Sequence, residues 1–419
     1  MSKITIEKMN INGEGVAFQD GKKFVVPYSL LNEEIEVKVV REKANFVGCE
    51  IDKILTPSKN RIEPICKYFS ICGGCDKMNI SPSDCIELKK ETLQDYFSGI
   101  FSGKVIENRG KNEIGYRNKV AFVVQGNKVG LQKKGSNVLV EIDKCIVAKP
   151  EINVVLNIFK CYLHTTKNEN ITRLVVRSLE NQVSIVLVCK EKPNNLDFFI
   201  TTLRKTFGDN FGLYLNYNKS KNEIFSPNFQ YICGLKELKS TFKGLTFYIK
   251  PYSFMQINDE MRDKLYQKVA QKMDGGVVVE GFSGAGLLSA ILSKNSKWVY
   301  SIEINSSANL DAEKTKNANK IVNLTNICGD IRVELPKIIE EHKDATFVID
   351  PPRSGVDNGT LDLLKQCKVK RIIYISCNPY TLKQNLVYLK DVYEITDFEI
   401  FDLFPQTFDI ESLVELKLK

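Results

Sequence analysis

From Val277 onward, short apolar runs that read as strands alternate with helical stretches. The runs are VVVE at 277–280, WVYSIEI at 298–304, LTNICGD at 324–330, FVID at 347–350 and RIIYISC at 371–377. A helix follows each, and two further strand-like runs close the chain. This alternation predicts an α/β fold with a mainly parallel sheet, because parallel neighbours need a crossover that a helix supplies. The expected architecture is a C-terminal doubly wound, Rossmann-like domain over residues 251–419. Ahead of it come an N-terminal OB-like β-barrel over 1–56 and a mixed α+β central domain over 57–250.

The barrel is read from Ile4–Met9, Lys23–Pro27, Glu34–Val40 and Asn45–Ile54, with turns at Gly13, Gly15, Gly21 and Asn32. Lys22, Lys23, Lys38, Arg41 and Lys43 make it basic, which fits either a nucleic-acid module or a generic barrel with a solvated basic face. The proline-bracketed run 57–64 marks a linker. Ser83 is the expected cap of a helix reaching about Phe101, and the helix after Asn258 carries Met261, Leu265, Val269 and Met273 on one packing stripe.

A formal charge of +8 over 419 residues favours a polyanionic partner. The N-terminus has no signal-like apolar run and no stretch nears the ~20 apolar residues of a membrane span, so the expected location is cytoplasmic, with reduced thiols and no membrane partner. Only two histidines occur, His164 and His342, in contexts without a partner motif, which argues against a His-centred triad or imidazole metal site.

Twelve cysteines in a reduced chain invite a metal or catalytic reading. Cys66, Cys72 and Cys75 form C-x5-C-x2-C around Gly73 and Gly74, with Cys145 the best distant fourth ligand. Three close thiolates and one remote one suit an iron-sulfur cluster. Structural zinc, which usually takes two close pairs, and unliganded apolar cysteines are the alternatives. Cys85 falls inside the predicted helix and off that loop.

In EGFSGAG, residues 280–286, an acidic residue ends a strand and a glycine turn opens a helix, so backbone can approach a nucleotide-like ligand. Glu303 follows about 20 residues on, at the position where a carboxylate accepts ribose hydroxyls. With Asp330 and Asp350, Glu280 and Glu303 would line one sheet edge with four acidic strand ends; helix capping is the competing role for such residues.

Cys377 ends the strand RIIYIS and precedes Asn378, Pro379 and a helix, whose dipole is expected to lower the thiol pKa and make a nucleophile. Thiolate addition at carbon 6 of a uracil would activate carbon 5 towards a methyl donor, and a base must then remove the carbon 5 proton. Glu411 in FPQTFDIES is the candidate base, with Asp409 the weaker one.

Together VVPYSLLNEE, CKYFSICGGC with IDKC, GYRNK at 115–119, SFMQIN, the glycine turn, DPPRSG, ISCNP and FPQT resemble the RNA uracil-5-methyltransferase family, in particular members with a TRAM domain and a [4Fe-4S] cluster. The resemblance implies S-adenosylmethionine-dependent methylation of a uridine in RNA, through Cys377 as nucleophile and Glu411 as base. It implies cofactor contacts from Gln256, Phe282, Leu287, Glu303, Asp330 and Asp350, and a cluster held by Cys66, Cys72, Cys75 and Cys145. The chain departs from the family at the start of the glycine turn, and in Phe408 and Asp409, where histidines are common. The resemblance points to 23S rRNA ahead of tRNA as partner, with no obligate protein partner. Two competitors are a cysteine-dependent enzyme acting on DNA cytosine, disfavoured by the barrel and cysteine segment, and a non-catalytic RNA-binding assembly factor, disfavoured by the intact Cys377 and Glu411.

Overall fold

The computed structural model describes residues 2–220 and 223–419. By compactness the chain divides into two units: residues 1–111 together with 350–419, and residues 112–349. The α/β class read from the sequence holds. Among the described residues no helix is long and apolar enough to cross a membrane.

The first unit opens with a six-stranded sheet in the order Ser2–Thr5, Glu34–Lys43, Phe46–Thr56, Lys22–Val26, Gly15–Gln19, Lys8–Met9. Alternation places Ile35 and Val37 inside with Ile4, Phe24, Val26 and Val47, while Lys38 stays outside. The expected single strand over 4–9 is two strands, and Gly15–Gln19 is a strand that the glycine-rich reading passed over. Its signal is the Asp20-Gly21 pair. Both residues have positive φ (51° and 73°), the geometry of a two-residue hairpin turn joining Gln19 to Lys22.

The next helix spans Pro82–Phe97 and is capped by Ser81, whose hydroxyl accepts the Asp84 N–H at 3.1 Å. Ser83 is not the cap and the helix stops short of Phe101: Pro82 takes the first helical position, where its missing N–H costs nothing. The unit is completed by strands Arg371–Ser376, Glu411–Leu418, Tyr393–Phe401 and Ile106–Asn108, neighbours in that order, with helices Asn358–Cys367 and Pro379–Leu389.

The second unit begins with a mixed seven-stranded sheet, Leu139–Glu141, Lys128–Gln132, Lys119–Gln125, Ile171–Leu179, Gln182–Cys189, Phe211–Tyr217, Phe229–Gly234. Helices Pro150–Thr166 and Leu196–Phe207 belong to the same unit, followed by a hairpin of Leu238–Phe242 and Leu245–Ile249. The helix expected after Asn258 spans Asp259–Gln271, and Asn258 caps it, accepting the Met261 N–H at 3.2 Å; Met273 falls beyond its end, so the buried stripe is Met261, Leu265 and Val269. Four parallel strands then run Leu324–Cys328, Ser296–Glu303, Gly275–Gly281, Thr346–Ile349 in space. In chain order that is 3-2-1-4, the doubly wound arrangement whose ligand crevice opens beyond the carboxyl ends of strands 1 and 4, where the order reverses.

Candidate active site and cofactor crevice

Asp350, Arg353, Cys377 and Glu411 all belong to the first unit. Strand Arg371–Ser376 pairs antiparallel with Glu411–Leu418, and Ser376 faces Ser412. One more step of that register sets Cys377, just past the end of one strand, opposite Glu411 at the start of the other. Side chains so placed are about 5 Å apart at Cβ.

Asn378 follows Cys377 and does two things. Its Oδ1 accepts the Tyr380 N–H at 3.1 Å, capping helix Pro379–Leu389, and its Nδ2 donates to the Arg353 carbonyl at 2.9 Å. Thr381 donates to the same carbonyl at 3.2 Å. Further along the helix, Asn385 accepts the Val356 N–H and donates to the Val356 carbonyl, both at 3.0 Å, and Tyr374 donates to its Oδ1 at 2.7 Å. The DPPRSG loop is thereby fixed to the helix that starts beside Cys377.

Cys377 is half-buried, and its thiol is pushed up to about 11, by burial first and by the Glu411 carboxyl next, against the pull of Arg353. The expected lowering by the helix dipole is overridden. The dipole is a local effect, whereas burial and two nearby carboxyls are not visible in the motif. Glu411 is 0% exposed and neither of its carboxyl oxygens has a hydrogen-bond partner among the described residues. Burial, then the Asp350 charge, drives its pKa well above the ordinary carboxylate range. Asp350 itself is pushed up to about 7 by burial. Asp409 is exposed, with Arg353 at 4.0 Å as its ion-pair contact among the described residues, so of these two carboxyls Glu411 is the buried one.

The glycine turn and its partners lie in the second unit. Glu303 ends its strand half-buried, and its two oxygens accept the Gly284 N–H at 2.9 Å and the Asn305 N–H at 2.7 Å. A carboxylate has about four acceptor sites, so lone pairs remain for ribose hydroxyls. Gly284 has φ +54° and a Cβ built on it would meet nothing within 4 Å, so its backbone faces open space. Gly286 has φ +73°, and a Cβ there would meet Ala312 at 2.6 Å. Phe282 takes a positive φ (60°) without being glycine, a sparsely populated conformation of the kind found at functional turns. Leu287 is buried in the first turn of helix Leu287–Leu292.

Glu280 is buried and bonded to the Ser289 hydroxyl. Asp330 caps helix Ile331–Glu341, accepting the Arg332 N–H at 2.8 Å, and pairs with the Arg332 guanidinium at 2.6 Å, which holds its carboxyl below the usual range. Gln256 is buried, and its carbonyl accepts from Asn118 of the GYRNK motif at 3.0 Å. The open turn at Gly284 and the partly committed Glu303 suit an adenosyl ligand.

Cys66, Cys72 and Cys75 share one loop in the first unit, half-buried, with the Gly74 N–H donating to Cys72 Sγ at 3.4 Å; Cys145 lies in the second unit. Thiols on a glycine-containing turn fit a cluster by donor chemistry. Among the described residues, however, no group of three or more His, Cys, Asp or Glu side chains is gathered as a metal site. Cys85 is buried in its helix and its thiol is raised by burial.

Sequence reasoning did not single out Arg353, Asn378, Asn385 or Lys89. Asn378 lies in ISCNP and Arg353 in DPPRSG. Lys89 had a signal of its own: with Cys85, Leu93 and Phe97 it repeats every four residues on a buried helix face, where an unpaired lysine is not tolerated.

The tRNA (uracil-5-)-methyltransferase family model matches residues 85–419. An uncharacterised RNA methyltransferase of Caldanaerobacter subterraneus subsp. tengcongensis is 30% identical, over 98% of this chain and 96% of its own length. One of Staphylococcus epidermidis is 29% identical, over 96% and 94%. Among solved structures, the Pyrococcus abyssi tRNA (uracil-54, C5)-methyltransferase in complex with S-adenosyl-L-homocysteine superposes with a TM-score of 0.80 over 99% of this chain and 100% of that one, at 22% identity. At that identity the likeness speaks for the fold. Matched over most of its length by the family model, the chain belongs to the tRNA (uracil-5-)-methyltransferase family.

Proposed function

We propose that this protein methylates carbon 5 of a uridine in RNA, with Cys377 as nucleophile and Glu411 as general base. The observation that carries the reading is Glu411: a carboxyl fully buried, without a hydrogen-bond partner among the described residues, in register with Cys377. Such a group is costly to folding and is kept where it moves a proton.

Cys377 Sγ, as thiolate, bonds to carbon 6 of the uracil, and the ring π electrons pass to oxygen 4 as an enolate. When bound, S-adenosylmethionine would supply a methyl group to carbon 5, the pair of the broken sulfur–methyl bond staying on its sulfur as S-adenosylhomocysteine leaves. Glu411, its own proton first passed to bulk water, takes the carbon 5 proton; that C–H pair restores the carbon 5–carbon 6 double bond and the C–S pair returns to Cys377. Arg353 favours the thiolate, opposing burial. For the methyl donor, Glu303 would hold the ribose and the Gly284 backbone would border the ligand, with Gln256, Phe282, Leu287, Asp330 and Asp350 as the further contacts.

Cys66, Cys72, Cys75 and Cys145 are proposed as ligands of a [4Fe-4S] cluster on donor chemistry and spacing alone. Iron and acid-labile sulfide assays on anaerobically purified protein test this, and their absence would remove it. Residues 1–56, with Lys22, Lys23 and Lys38, and the segment 57–250 are assigned to RNA contact, and 251–419 to methyl transfer. The resemblance to members with a barrel and a cysteine cluster favours 23S rRNA, while the family description favours tRNA. Incubating the protein and S-adenosylmethionine with unmodified transcripts of each, followed by nucleoside mass spectrometry, decides: 5-methyluridine in either supports the activity, and none in both overturns it.

A further inference from the structure

The loop 402–410 leads directly into Glu411, and it is held from outside by residues distant in sequence. Lys89 is 1% exposed; its ammonium donates to Asp402 Oδ1 at 2.7 Å and to the Asp409 carbonyl at 3.1 Å, joining the two ends of the loop. Just after Cys75, Asp76 Oδ1 accepts the Phe408 N–H at 2.9 Å, and the Gln406 carbonyl accepts the N–H groups of Asp76 at 3.1 Å and Lys77 at 3.0 Å. Gln406 itself is left-handed, with φ +73°. A loop with such a turn keeps its shape because its surroundings over-determine it.

The chemistry of this clasp is unusual for mere packing. A buried ion pair adds little net stability over a well-packed apolar pair, and its best-attested use is to fix one geometry. Here the fixed point is Asp409, two residues before Glu411.

We propose that Lys89 and Asp402, supported by Asp76, are positioning residues for Glu411, so that loosening them stalls the reaction after the carbon 6–sulfur bond has formed. This rests on Glu411 as the base. The step affected is transfer of the carbon 5 proton to the Glu411 carboxylate, with the C–H pair forming the double bond and the C–S pair leaving on Cys377. Addition by Cys377, which the clasp does not touch, should proceed.

The test uses the full chain, S-adenosylmethionine and the RNA transcript that the wild-type protein methylates, quenched in denaturant over time. Lys89→Met and Asp76→Ala are expected to form the protein–RNA adduct at near wild-type rate and to resolve it roughly tenfold to a hundredfold more slowly, as a misplacement near 1 Å does. Lys89→Arg should restore part of the resolution rate. Wild-type resolution in both variants, or parallel loss of formation and resolution, overturns the proposal. If Lys89→Met does not fold, Asp76→Ala and Lys89→Arg decide it by the same ratio. Glu411→Gln is the reference: failure of that variant to accumulate adduct removes the base reading itself, whereas accumulation there without accumulation in Asp76→Ala removes only the clasp.

Discussion

Ser376 and Ser412 face each other across an antiparallel strand pair, and the two residues that follow outward on that register are Cys377 and Glu411. Cys377, the proposed nucleophile, and Glu411, the proposed base, therefore leave the same end of one ladder. The strand register sets their backbone spacing, and the clasped loop 402–410 holds the Glu411 end of it. A proton acceptor that must act on the carbon next to the one bearing sulfur is served by this spacing.

The resting pocket holds its protons, and the pH dependence follows. With the Cys377 thiol at about 11, the thiolate fraction rises about tenfold per pH unit across the neutral range. Alkylation of Cys377, followed by peptide mass mapping, should rise log-linearly from pH 7 to 10 without a plateau near 8. Arg353→Ala removes the cation that favours the thiolate and should slow alkylation at pH 8 roughly tenfold. A plateau at pH 8 in the unaltered protein would contradict the buried-thiol assignment.

Stability should fall as pH rises. The folded pKa of Asp350, about 7, exceeds an unfolded value near 3.9, so between those values the folded state binds more protons than the unfolded. Stability on this account is full below about pH 4, declines through pH 7 and levels off above; Glu411, raised in the same direction, extends the decline upward. Thermal unfolding at pH 5, 7 and 8.5 should show a falling midpoint, and Glu411→Gln should flatten the slope. A steeper slope in that variant would contradict the buried neutral acid.

Gly286→Ala should harm folding and cofactor binding together. Its Cβ would meet Ala312 at 2.6 Å from a backbone at φ +73°, a clash and a conformational penalty costing about 1–3 kcal/mol. Glu303→Gln keeps the shape and one acceptor but loses the charge, so S-adenosylmethionine affinity by calorimetry should weaken roughly tenfold with little change in thermal midpoint. Unchanged affinity in Glu303→Gln would detach that carboxylate from the cofactor.

What the sequence made legible was local. The helix after Asn258, the parallel strands from Val277 and Cys377 at a strand-to-helix junction each follow from a few adjacent residues. What escaped was non-local. The raised Cys377 thiol comes from burial and from Glu411, residues apart in sequence and joined by strand pairing. The four-residue spacing of Lys89 with Cys85, Leu93 and Phe97 puts it on a buried face, but its partners Asp402 and Asp409 lie far along the chain. Asp330 was read as a cofactor contact with capping as its rival, and its capping bond is what the fold displays.

The most direct measurement of the central claim follows covalent adduct and product together in unaltered protein, Cys377→Ala and Glu411→Gln, each incubated with S-adenosylmethionine and substrate RNA and then denatured. The expected result is turnover to 5-methyluridine in the first, neither adduct nor product in the second, and a denaturant-resistant protein–RNA adduct with little free product in the third. Normal turnover by Cys377→Ala would contradict the account.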